Sequence, residues 1–140
     1  MRRLRDAARG DRGSVALFMA VFTVGLLAMA GLVIDGGTAL ATRGRAHDVA
    51  QQAARAGADA LSAASLRGAD PAGLQIDPIQ ARSEAQKYLS AGGATGTVSV
   101  TQNTVTVTAH IAARSKILSA FGVPDISGDG KATATIVRGV

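Results

Sequence analysis

The residues of this 140-residue chain with a capacity for acid–base or metal chemistry are few and scattered. There are two histidines. His47 adjoins Asp48 in an alanine-rich segment, where adjacent helical positions point to different faces. His110 stands near the end of a threonine–valine run. No Glu-x-x-His or comparable spacing joins them, so they form no metal-ligand set. Gly128-Asp129-Gly130 hints at a calcium loop, but the ladder of acidic ligands such a loop needs is missing, and the tripeptide reads as a turn. The chain has no cysteine, hence no thiol nucleophile, soft ligand or disulfide brace. Neither a G-x-S-x-G elbow nor a phosphate loop occurs. The reading is that this is not an enzyme: no catalytic residue, metal, cofactor or small-molecule substrate is expected. One charged residue stands out by its place. Asp35 closes a long apolar run, where snorkelling at the edge of a bilayer accounts for it and a structural role is favoured over a catalytic one.

That run is the element that positions everything after it. Ser14 to Ile34 (SVALFMAVFTVGLLAMAGLVI) contains no charge in 21 residues. At 1.5 Å per residue it measures about 31 Å, the thickness of a hydrocarbon core. Five arginines (2, 3, 5, 9 and 12) precede it against Asp6 and Asp11, and supply three of the five net positive charges. The rest of the charge is scattered. Only four aromatic residues exist, Phe18 and Phe22 of them inside the run, so no basic and stacking surface for nucleic acid is read. The basic cluster instead orients a membrane helix, N-terminus in the cytoplasm and C-terminal part outside. The expected organisation is a basic cytoplasmic tail over 1–13, a transmembrane helix over 14–34, an alanine-rich helix over 38–66 and a small extracytoplasmic domain over 67–140. A cleaved signal peptide is the rival: Ala28-Met29-Ala30 before Gly31 has the form of a cleavage site, and cutting there releases a small secreted binding module.

Beyond the span the small residues Ala46, Ala50, Ala53, Gly57, Ala60 and Ala64 recur at 4-3-4-3-4 spacing, a heptad seam that lets another backbone come close. It serves either this protein's own sheet or another subunit. Within the span, Gly25 and Gly31, with Ala16 and Ala20, make one side small, as suits close helix approach in lipid. Gly36-Gly37 is a potential hinge, though near-continuity of the helix is expected. Asp77-Pro78 with Gln80 predicts a capped helix from Pro78 to about Ser90, with Ile79, Ala85 and Leu89 apolar, ended by Gly92-Gly93. Thr97–Thr101 and Thr104–Thr108 alternate with period two and form a hairpin through Gln102-Asn103, Asn103 being able to take positive φ. Ser115 to Phe121 reads as one or two helical turns closed by Gly122, and Gly130 to Val137 as a third strand. The fold class is α+β: a single N-terminal transmembrane helix continuing into a long alanine-rich helix, then a small helix-plus-antiparallel-sheet domain.

This order and these residues resemble the TadE/TadG-like pseudopilin-like proteins of the tight-adherence (Flp) pilus-assembly system. The resemblance lies in Arg12-Gly13-Ser14-Val15-Ala16, in Leu32-Val33-Ile34-Asp35-Gly36-Gly37, in Arg43 and Arg45, and in the run Ala50 to Ala64, with a closing strand in KATAT. It implies a membrane-anchored minor pseudopilin or accessory subunit with a structural role. Its partners would be the lipid bilayer and other pilin-like or pilus-assembly subunits, met through the N-terminal helix, where Gly25, Gly31, Asp35 and Gly37 join the seam as packing positions. Two departures bear on processing and packing. Gln51 stands where the family places an acidic residue, and Phe18 stands where prepilin-type processing after Gly13, before Ser14, goes with glutamate. Gly13 is therefore either uncut or cut without that glutamate. TadG-like proteins carry a large further domain that 140 residues do not accommodate, so a short form is expected.

Overall fold

The computed structural model describes residues 3–61, 75–101, 103–122 and 125–136, with the backbone alone for 3–12 and 121. Its first element, α1 (Arg3–Ala58), is a single helix of 56 residues. It passes through Gly36 and Gly37 without a break, although each glycine costs about 1 kcal/mol relative to alanine. Packing on either side holds it there, through Asp35 below and Thr42 and Ala46 above, all buried. The hydroxyls of Thr23, Thr38 and Thr42 donate to the carbonyls four residues earlier, so these β-branched polar residues are satisfied within the helix.

The expected helix to Leu66 is corrected at its end: α1 stops at Ala58. Leu61 forms an antiparallel bridge with Ile76, and the Asp77 N–H donates to the Ala60 carbonyl. Tertiary pairing overrides alanine's helix propensity there. Ala64 lies outside the described residues, as does most of Arg67 to Gln75, whose Gly68, Asp70-Pro71 and Gly73 predict a loop. The second helix, α2 (Pro78–Ala91), is capped by Asp77, whose carboxylate accepts from the N–H groups of Ile79 (2.9 Å) and Gln80 (3.1 Å). The reciprocal half of a capping box is not made, because the Asp77 N–H is already spent on Ala60. Ile79, expected among the apolar contacts, is 83% exposed; Ala81, Ala85 and Leu89 form the buried face.

Three strands, β1 (Thr95–Val100), β2 (Thr104–Arg114) and β3 (Asp125–Thr135), make an antiparallel meander with β2 in the centre. The hairpin closes with the Thr101 N–H donating to Thr104 O. Asn103 does not use positive φ, since every described residue that does so is glycine. Alternation sorts β2: Val105, Val107, Ala109 and Ile111 are buried, while Thr108 and His110 face out. On that outer face Thr106 pairs with Thr133, and Thr104 with Thr135. The buried face receives Ala46, Ala50, Ala53 and Ala54 of α1 and Ala81, Ala85 and Leu89 of α2.

Both longer strands extend past the alternating runs that announced them, and β3 begins early enough to take in Gly128-Asp129-Gly130. The expected turn is therefore a strand segment. The reason is packing: a Cβ on Gly128 would lie 2.6 Å from the Arg43 backbone nitrogen, and one on Gly130 would run into the backbone of Ala46 and His47. In a strand, residues i and i+2 share a face, so the two glycines together form a trough in which α1 lies directly on the sheet.

Candidate functional site

The connection from β2 to β3 leaves the end of the sheet nearest the exposed half of α1 and forms a short 3-10 turn, Leu118–Phe121, closed by Gly122 at φ 88°. The N-terminus of such a turn presents orphan N–H groups, and Ile117 at the capping position offers no side-chain hydrogen bond. Asp35 supplies the missing acceptor from more than eighty residues away. Its Oδ1 accepts from Lys116 N (2.9 Å), and its Oδ2 from Ile117 N (3.0 Å) and Leu118 N (2.6 Å). The carboxylate is 1% exposed. Snorkelling is thus corrected: Asp35 turns away from bulk solvent and beneath the turn. The Leu118 N–H, with those of Lys116 and Ile117 and the Lys116 charge, holds its pKa below the ordinary 3.8 against the opposing effect of desolvation.

One turn of helix earlier, Gly31 is buried under the same segment. A Cβ there would come within 2.6 Å of Ile117 Cγ2. From Gly31 the buried stripe of α1 continues through Asp35, Thr42, Ala46, Ala50, Ala53 and Ala54 to Gly57. At Gly57 a Cβ would press on Val105 Cγ1 at 3.0 Å and Ala81 O at 3.1 Å. Over this length the seam faces the protein's own sheet and second helix. Ala60 is half-buried beyond the helix end. Gly13, Ser14, Gly25 and Gly37 are exposed, with open space where the Cβ atoms of the three glycines would sit.

The residues considered for chemistry are dispersed. His110 Nδ1 and Asp129 Oδ1 lie 2.7 Å apart on the outer face, both side chains largely exposed. His47 Nε2 meets Gln51 Nε2 at 2.9 Å along α1. Among the described residues no three histidine, aspartate or glutamate side chains converge on a metal position. The anchoring contacts of the turn were not readable beforehand, because nothing local in Lys116-Ile117-Leu118 marks it as a partner for Asp35. The trough was not readable either, because Gly128-Asp129-Gly130 on its own reads as a turn and places two bare positions on one face only once it is part of a strand.

The geometry defines an α+β domain mounted along one side of a long helix whose free half is apolar. That helix is long and apolar enough, by length and composition, to cross a membrane. Residues 13–65 match the family model described as "Putative Flp pilus-assembly TadE/G-like", a likeness confined to that segment of the chain. Neither a curated protein nor a solved structure matches the chain.

Proposed function

We propose that the protein is a membrane-anchored structural subunit of a tight-adherence type pilus assembly, a minor pseudopilin or accessory component. Its N-terminal tail would lie in the cytoplasm and its α+β domain outside. One observation carries this reading: every residue from Gly13 to Ala30 is exposed, while the seam above is already filled by the protein's own domain. The exposed stretch includes Leu17, Phe18, Val21, Phe22, Val24, Leu26, Leu27 and Met29, each more than half exposed. So large an apolar surface calls for lipid or for other apolar helices. Contacts with neighbouring subunits would then fall on this free half, with Gly25 as a point of close approach, and Gly13–Ser14 as the point of any processing.

The test is recovery of the protein from its own cell envelope, with alkaline-carbonate extraction, intact mass and N-terminal sequencing. Retention in the membrane pellet with a start at Met1 supports an uncut accessory subunit, and a start at Ser14 supports a processed, fibre-directed one. A soluble product starting at Gly31 would sink the anchored reading in favour of a secreted module.

A further inference from the structure

The turn that Asp35 caps lies too far down the helix to be clear of the membrane. Ile117 rests on Gly31, and Ile117 and Leu118 share an apolar recess with Ala28, Met29, Gly31 and Leu32. Counted back from Ile34, Gly31 and Ala28 are three and six residues inside the apolar run. At 1.5 Å per residue that is about 5 and 9 Å below its outer end. A domain that touches the helix at this depth brings its own turn to the level of the outer acyl chains.

The turn is composed for that position. From Ile117 to Pro124 (ILSAFGVP) no residue is charged, whereas Arg114, Lys116 and Asp125 bracket the stretch. Ile117 and Leu118 are only half-buried, and their uncovered surface continues into Leu32 and Met29, 63% and 67% exposed. Non-helical backbone is excluded from an apolar medium unless its polar groups are satisfied within the protein. Five N–H groups of the turn have such partners: those of 116, 117 and 118 go to Asp35, that of Ala120 to Ile117 O and that of Gly122 to Ser119 O. Lys116, exposed at the top of the turn, has the length to keep its ammonium at headgroup level.

We infer that the Lys116–Gly122 turn is a second membrane contact, seated in the outer interface beside α1 with Ile117 and Leu118 against lipid and its first three N–H groups held by Asp35. The inference rests on the anchoring proposed above. Its consequence is orientation. A single helix leaves the domain free to rotate about the helix axis, whereas two contacts at one level fix which face of the sheet looks away from the membrane.

The chain has no tryptophan, so single-tryptophan variants of the full chain report cleanly in phosphatidylcholine vesicles whose acyl chains carry bromine at shallow or deep positions. Val24→Trp reports the mid-span, Leu118→Trp the turn and Gln52→Trp, exposed on the outer part of α1, the aqueous side. The expected result is that shallow bromines quench Leu118→Trp several-fold more than Gln52→Trp, while deep bromines quench Val24→Trp. Lipid quenching at Val24 with Leu118 behaving like Gln52 would overturn the turn contact and leave the anchor standing. Absence of quenching at Val24 would overturn both. Because tryptophan at 118 enlarges a residue of the recess itself, Ser119→Cys carrying a small environment-sensitive fluorophore gives an independent reading. Ser119 is exposed and the chain has no other cysteine, and quenching of that label by aqueous iodide but not by lipid bromines overturns the inference as well.

Discussion

From Gly13 to Ala30 no residue of α1 is covered, and from Gly31 to Gly57 one stripe of the same helix is covered almost continuously. The two halves differ in what their side chains do. The first carries valine, leucine, phenylalanine and methionine all round, the pattern of a helix that needs an apolar medium on every side. In the second, beyond Leu32, Val33, Ile34 and Leu40, the open faces carry mainly charged and polar residues such as Arg43, Arg45, His47, Asp48, Gln52 and Arg55, and alanine, glycine, threonine and one aspartate occupy the stripe. Small residues are plentiful in both. In the upper half they allow the sheet to come so close that Gly128 and Gly130 lie against helix backbone; in the lower half Gly25 faces open space. A small residue therefore marks a close contact only where a partner surface is present to use it.

Substitutions that treat the halves unequally test this contrast. The largest effect is expected from Gly130→Ala, whose Cβ has only helix backbone to meet and no flexible side chain to displace. A loss of roughly 3 kcal/mol, the upper end of overpacking penalties, should appear in urea unfolding of the full chain in mild detergent. A loss under about 0.5 kcal/mol, the range of neutral surface changes, would mean that α1 does not lie in the trough. Asp35→Ala should come next. It strips the turn of its acceptor and leaves three N–H groups without one, and should be read as faster proteolysis within the 115–122 segment while β2 and β3 stay protected from hydrogen exchange.

Acid provides a milder version of that change. Because the folded-state pKa of Asp35 is depressed, its carboxylate contributes stability that is fully present above the ordinary value of 3.8 and is lost as pH falls through that value toward the folded one. The difference in unfolding midpoint between the native chain and Asp35→Asn should therefore be widest near neutral pH and close below about pH 4. A gap independent of pH would show that the charge is not what holds the turn.

A matched pair sharpens the comparison further. Gly31→Ala pushes Ile117 from its seat and should cost about 1 kcal/mol, whereas Gly25→Ala, with nothing near its Cβ, should change domain stability by less than about 0.5 kcal/mol. Equal effects in thermal unfolding would erase the distinction between the halves. A small effect is likewise expected from His110→Ala. It removes an exposed contact with Asp129, and double-mutant cycles with Asp129→Ala should give a coupling of about 0–1 kcal/mol.

How much of this was legible varies with the range of the interaction concerned. The Asp77 cap on α2, the closing Gly122 and the face of β2 that carries Val105 and Val107 all follow from neighbours a few residues apart, and all could be read in order along the chain. The end of α1 could not, because a bridge between Leu61 and Ile76 outweighs a run of good helix formers. Nor could the strand character of Gly128-Asp129-Gly130: glycine weakens a strand on its own and is favoured there only because helix backbone lies against it. Asp35 was conspicuous for its charge at the end of an apolar run, yet its partners lie in Lys116, Ile117 and Leu118, whose backbone N–H groups carry no sequence signature.

By itself the sequence determined the apolar helix, its length, the cluster of arginines before it, the small-residue stripe after it and the alternating strands. These depend on side-chain character at fixed local spacing, and local spacing survives in any conformation. Tertiary structure alone decided which surface fills the stripe, how far down the helix the domain reaches and what the buried carboxylate holds. Those are contacts between segments more than eighty residues apart. They are settled by which surfaces fit once the chain has folded, with α1 lying in the sheet's glycine trough and a turn without a cap of its own placed over the one acidic residue that supplies it.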